Sequence, residues 1–411
     1  MRNHYVPQFI LKKYGEKLSF YDVKEKKLVE NSLPENIFVS NNIYSDKIET
    51  DLCKQIESPF SILLEDKILK SQDELVITRD ELTLIKKFLL LSLLRTLDGE
   101  KFMEEEKDYY KKLKSFLLDK GIEESEINNY SMPTFTEKIV PDETNHQYWM
   151  RTLESAVKLT SFDPICIAQI DNITYVTYHW ARVINAGYLG IWDSDDKEDF
   201  VITDVGMTSE NEVGCDNRSV FNHKKIDYVN SLCNRFWRLA NDTSEKPENR
   251  DQYNLFSHSL FKQMQFISEF NENFMMFPIS SKRMLVLICP FFRVLNSIKE
   301  AKDLLPDIAD YTLLTNGKLF EPNEVKKHNQ DDSTHSFDPD DEFIYKIVKL
   351  NSKETQYCNC LFLDRIERFV GFSSLDKVKE SFLSYKEKGK DLKLRTDYDK
   401  IYSTIQERYK H

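Results

Sequence analysis

Thr78-Arg-Asp-Glu-Leu-Thr-Leu-Ile-Lys-Lys-Phe-Leu-Leu-Leu-Ser-Leu-Leu-Arg95 is the stretch from which the fold can be worked out. Thr78 and Glu81 stand at the spacing at which each side chain satisfies the other residue's free backbone N–H, so a helix is predicted from here through Arg95. Phe88–Leu94 is apolar on nearly every side, so this helix must be enclosed by other elements and form the centre of the domain. An arginine closing such a helix is costly to bury alone. Arg95 therefore needs an acidic partner or an anionic ligand, unless it reaches solvent or caps the helix carboxyl end.

Towards the N-terminus, Leu52, Ile56, Phe60, Leu63, Leu64 and Ile68 recur at helical spacing, with Pro59 expected to divide the segment into two short helices. Lys17–Val29 alternates like a β-hairpin. Towards the C-terminus, Glu100–Lys120 and Thr144–Leu159 have helical patterns. From Pro164 short β-rich runs are expected at Ile165–Ile170, Thr174–Tyr178, Tyr188–Trp192 and Phe200–Thr203, then a helix at Ile226–Leu239 and a strand at Arg283–Cys289. A strand at Phe343–Leu350 is followed by helices from Ser352 to about Phe369 and from Ser374 to Lys388. The fold class is α+β, with a helix-rich N-terminal half around the central apolar helix and a mixed or antiparallel sheet built mainly after residue 160. A core over 1–300 divides into a helical region about 50–160 and a sheet-rich region about 164–290; a C-terminal α/β extension over 301–411 carries an acidic loop at 321–342.

The formal charge of −12 gives no reason for the whole surface to attract a polyanion, although a local basic groove stays compatible with it. No apolar run approaches the roughly 18–20 residues that span a bilayer, and the polar start lacks a leader pattern, so the cytoplasm is the expected compartment and no membrane partner is expected. Seven cysteines without a CxxC pair argue against structural zinc and a disulfide framework, and Cys358 and Cys360 read as buried thiols on a helix.

The opening Asn3-His-Tyr-Val-Pro-Gln-Phe-Ile-Leu11 resembles the signature of a bacterial family catalogued as domain of unknown function 4238. Weaker stretches follow in the family's order: Ile43-Tyr44, Ile56-Glu57, Leu94-Arg95-Thr96, Phe200-Val-Ile-Thr-Asp204 and Phe277-Pro-Ile-Ser280. After Asp204 the chain has Val205-Gly206-Met207 where the family usually has Asn-Pro. The resemblance implies an architecture and candidate residues, without an established activity.

His4 is the first candidate for chemistry, because an imidazole serves as base or metal ligand near neutral pH and Pro7 stiffens the backbone that presents it; docking the N-terminus through a backbone hydrogen bond is the competing role. Asp204 ends an apolar strand, a common place for a catalytic carboxylate, and equally suits an Asx turn before Gly206. Glu57 can pair with Arg95, join Asp204 around a divalent metal such as Mg²⁺, or face solvent. Together His4, Glu57, Arg95 and Asp204 supply what phosphodiester hydrolysis requires: carboxylates for a metal, a base for water and a cation for the oxyanion. The expected function is a metal-dependent nuclease or toxin-like effector of bacterial, anti-phage defence. Its competitor is a non-catalytic binding or sensor protein that recognises a protein or nucleotide partner. His328, His335, Asp331 and Asp332 fit a solvated loop better than a metal site, and His179, Trp180 and Arg182 lie beside the expected sheet.

Overall fold

The structure is a computed structural model describing residues 2–95 apart from 42 and 44, then 142–209, 218–270, 273–292, 324–327, 341–389 and 395–409, with scattered positions between 99 and 140. The chain opens with β1 (Arg2–His4) and the short helix α1 (Gln8–Leu11), followed by the expected hairpin of β2 (Leu18–Asp22) and β3 (Lys27–Ser32). β4 (Val39–Asn41) returns antiparallel to β1 with His4 opposite Val39.

The next segment is a continuous helical rod rather than two helices. Ser45 caps α2 (Asp46–Leu52) by accepting the N–H of Ile48. A π-turn at Cys53–Glu57 leads into α3 (Ser58–Leu63), and a second π-turn covers Leu64–Ile68. Pro59 does not interrupt the rod because it falls in the first turn of α3, where the π-turn already bonds the Ser58 N–H to the Cys53 carbonyl and no i−4 donor is needed from the proline. β5 (Glu74–Thr78) then feeds α4 (Arg79–Leu94), whose start carries the anticipated capping box: the Thr78 N–H donates to Glu81 at 2.9 Å and the Glu81 N–H to Thr78 Oγ1 at 3.2 Å. Phe88 of α4 stacks on Phe60 of α3 with ring centroids 3.8 Å apart, which fixes the rod against the central helix.

α5 (Asn145–Val157) packs on α4, and the two segments beyond it overturn the expectation of strands: α6 (Pro164–Ala168) and α7 (Tyr175–Ala186) are helices. The β-branched content that suggested strands serves other purposes here. Thr174 caps α7 by accepting the Thr177 N–H, while Thr152, Ser155, Thr174 and Thr177 satisfy one another in a buried hydroxyl cluster joining α5 to α7. Thr177, Ala181 and Ile184 are buried at helical spacing.

β6 (Tyr188–Asp193), β7 (Ile202–Thr203) and β8 (Thr208–Ser209) precede a long helical pair, α8 (Arg218–Ala240) and α9 (Pro247–Glu269). β9 (Phe274–Pro278), β10 (Arg283–Ile288), β11 (Glu324–Lys327), β12 (Glu342–Lys349), α10 (Ser352–Asp364), β13 (Phe369–Phe372), α11 (Leu375–Lys388) and α12 (Asp399–Arg408) complete the described chain. The main sheet runs β11-β12-β6-β10-β9-β8, with β5 also pairing β12; its β12–β6 contact is parallel and the rest antiparallel, so the sheet is mixed and the fold α+β. A second sheet, β3-β2-β13-β7, uses a strand where the sequence pattern had extended α10 to about Phe369. Within 321–342, Glu324–Lys327 is a strand; His328, Asp331, Asp332, His335 and 338–340 lie outside the described residues, as does most of Glu100–Lys120. Among the described residues no helix is long and apolar enough to cross a membrane.

Candidate functional site

Arg95 is the C-terminal cap of α4 and its side chain is only 2% exposed. It does not leave for solvent. Its Nη1 donates to Glu57 Oε1, and its Nη2 donates to Glu49 at 3.1 Å (Oε1) and 3.0 Å (Oε2). Two carboxylates around one guanidinium leave a formal charge of −1, and both glutamates keep part of their surface in solvent. Pairing on this scale offsets the several kcal/mol by which burying an arginine alone would destabilise the fold.

The π-turn at Cys53–Glu57 is what aligns the two glutamates. Eight residues of regular α-helix overshoot two full turns by about 80°. A turn that absorbs one extra residue leaves about seven residues of rotation, within about 20° of alignment, so Glu49 and Glu57 come onto the same face. Glu49 goes unrecognised in the sequence because the apolar spacing that marks this helix begins at Leu52. The signal that finds it is the cap at Ser45, which starts the helix four residues before Glu49.

His4 sits on β1, with the Gln8 side-chain amide nitrogen 3.2 Å from its Nε2. The neighbouring Asn3 is buried and its Oδ1 accepts the Ile43 N–H at 3.0 Å, tying the strand that carries His4 to the chain entering the rod of Glu49 and Glu57. Tyr44 and Thr96, which belong to the matching stretches, lie outside the described residues.

Asp204 follows β7 and is fully buried. Its carboxylate accepts the backbone N–H groups of Glu367 (3.2 Å), Arg368 (2.6 Å) and Phe369 (2.9 Å), and its own N–H returns to the Phe369 carbonyl at 3.1 Å. Burial pushes the carboxyl up to about 6 although those three donors favour the anion. The turn itself closes by the Gly206 N–H to the Thr203 carbonyl, with Gly206 at φ +71°, and a Cβ at Gly206 would lie 3.6 Å from the Ser92 carbonyl of α4. Gly206, two residues after Asp204, thus sits beside the last turn of the helix that carries Arg95. A path of ring contacts links it to the opening motif: Phe369 packs on Phe38 at 6.1 Å, Phe38 on Tyr5 at 6.1 Å, and the Tyr5 N–H donates to the Phe38 carbonyl.

Of the four sequence candidates, the structure bonds Glu57 to Arg95 directly and adds Glu49, while His4 contacts Gln8 and Asp204 holds the backbone of residues 367–369. Glu49 and Glu57 are hard oxygen donors of the kind Mg²⁺ takes; among the described residues no group of three His, Cys, Asp or Glu converges on one point. His179 stacks on Tyr175 at 5.6 Å and is pushed down to about 4 by burial and by Arg182, and Trp180 is half-buried against Phe102 at 6.3 Å.

A family model described as a protein of unknown function, DUF4238, matches residues 2–376, which takes in every one of these residues. No curated protein and no solved structure matches the chain. With the match spanning most of the chain, the protein belongs to the DUF4238 family.

Proposed function

We propose that the chain is a metal-dependent phosphodiesterase acting on nucleic acid, with its reactive end at the C-terminus of α4. The observation that carries this reading is the convergence of Glu49 and Glu57 on Arg95, with both carboxylates retaining solvent access. A Mg²⁺ ion commonly uses only one or two protein carboxylates and fills its remaining positions with water and phosphate oxygens, so this pair is a sufficient donor set. When bound, the ion would supply Lewis-acid stabilisation of the phosphoryl oxygens. Arg95 holds the two carboxylates in register, His4 is the candidate base, and Asp204 positions the 203–206 turn against α4 rather than meeting the substrate.

The test is incubation of the full chain with single- and double-stranded DNA and RNA in Mg²⁺ or Mn²⁺. Metal-dependent cleavage that falls at least a hundredfold in Glu57→Gln and His4→Ala, with circular dichroism unchanged, supports the reading. Cleavage that both variants retain, or none with any substrate, rejects it. In a bacterial host the active chain is expected to impair growth and the same variants to relieve it, as suits a toxin-like defence effector.

The second reading is a non-catalytic binding or sensor protein. It is favoured by the complete burial of Asp204 and by the use of its carboxylate to hold residues 367–369. Unchanged growth together with selective retention of a nucleotide or protein ligand supports this alternative.

A further inference from the structure

The helical pair α8–α9 presents a surface that the site at α4 does not use. Its interior is orderly: Phe236 packs on Tyr253 (6.0 Å) and on Phe256 (5.6 Å), and Cys233 and Ser257 bond each other's carbonyls across the two helices. Trp237 and Phe261 are 60% and 65% exposed and line one groove together with Asn234, Asn254 and His258. Asn234 also borders a second groove lined by Arg235 and Arg238, both exposed, with Asp227 as its one acid.

Charge decides which occupant suits this face. The chain as a whole is at −12, yet the α8–α9 pair carries seven Lys/Arg against four acids: α8 has Arg218, Lys224, Lys225, Arg235 and Arg238 against Asp227, and α9 has Arg250 and Lys262 against Glu248, Asp251 and Glu269. A basic helix on an acidic protein, with exposed rings beside its arginines and side-chain amides between them, matches a flexible polyanion with flat bases. Aromatic rings stack bases of any identity, and arginines follow the phosphates.

We propose that the α8–α9 pair is a docking surface for single-stranded nucleic acid, in which Trp237 and Phe261 stack bases while Arg235 and Arg238 bind the phosphates. This rests on the reading of the chain as one that acts on nucleic acid, and it names the strand form.

The test is fluorescence anisotropy of labelled oligothymidylate and oligouridylate of about twenty nucleotides, with the full chain in EDTA so that no hydrolysis is needed. Wild type is expected to bind, Trp237→Ala and Phe261→Ala to weaken binding about tenfold each, and Arg235→Gln with Arg238→Gln to lower the log–log salt slope by about 1.4. Absence of binding at low salt, or equal affinity in Trp237→Ala/Phe261→Ala, overturns the proposal. So does conversion of a dimer to a monomer by that double variant in equilibrium sedimentation, which would make the face a self-association surface. Hydrolysis of bis(p-nitrophenyl) phosphate with Mg²⁺, a diester too small to need this surface, is measured in parallel. Hydrolysis without oligonucleotide binding removes the docking surface and spares the phosphodiesterase, whereas binding without hydrolysis of any diester does the reverse.

Discussion

Arg95 donates to Glu57 across 38 residues of sequence, and the same guanidinium takes Glu49, so the end of the central helix and the rod of two π-turns are held by one charged side chain. The relationship is structural before it is chemical, since either glutamate left without its partner would repel the other across the same space.

Replacing Arg95 with Met leaves two carboxylates facing each other without a cation. The expected loss is about 3–5 kcal/mol in urea unfolding. Adding Glu57→Gln to that variant should restore part of the loss, because the two positions are coupled. Additive effects would show that the pair does not act as a unit.

Asp204 sets a pH dependence with a definite sign. Its carboxyl is raised from 3.8 to about 6, so the folded state holds the proton more tightly than the unfolded chain. Its stabilisation is fully present below about pH 4 and is lost as the pH rises through about 6, amounting to about 3 kcal/mol for a shift of this size. Relative to Asp204→Asn, wild type should therefore lose stability between pH 4 and 7, read from urea midpoints. A gain over that interval would contradict the assignment.

His179 works in the opposite direction over an overlapping range. Burial and Arg182 lower it from 6.5 to about 4, so the folded state favours the neutral ring and stability from this residue falls as the pH drops through about 6.5 toward 4. His179→Gln should remove about 2 kcal/mol of acid destabilisation, less than the whole shift implies because the ring is only half-buried. Differential scanning calorimetry at pH 4.5 and 7.5 measures it, and an unchanged wild-type-to-variant difference between the two would count against it.

Gly206 tests the turn that brings Asp204 to α4. Its φ of +71° is strained for any residue with a Cβ, while the nearest atom to such a Cβ is at an ordinary 3.6 Å. Gly206→Ala should cost about 1 kcal/mol through the backbone alone. A Tm equal to wild type would mean that the turn does not hold this conformation.

What could be seen in the sequence was local. The capping box at Thr78 and Glu81, the apolar run Phe88–Leu94 and the hairpin of β2 and β3 each carry their own signal within a few residues. Where local signals compete, composition misled: Thr174, Val176 and Thr177 have strand-like side chains, but Thr174 acts as a cap and the helix follows from it. β13 (Phe369–Phe372) has strand-favouring side chains but is only four residues long, too short to show a period, and its pairing with β2 and β7 on either side defines it. The site divides the same way. The position of Arg95 at the end of an apolar helix left an acid, an anionic ligand, solvent and the helix cap open, and the structure combines the acid with the cap. The partners of Asp204, by contrast, are backbone groups 163 to 165 residues later, whose N–H donors leave no trace in side-chain identity.

The pairing of β2 with β13 also sets a schedule. Asp22 and Arg368, which bridge these strands, are 346 residues apart, so at a synthesis rate of roughly 5–20 residues per second the ribosome needs about 17–70 s to supply the partner after β2 emerges. For that interval the nascent hairpin keeps one edge open beside Phe20 and Tyr21, a surface that other nascent chains can extend. Translation that stops before β13 should therefore yield an aggregation-prone fragment, and chaperone demand should fall sharply once that strand has been made.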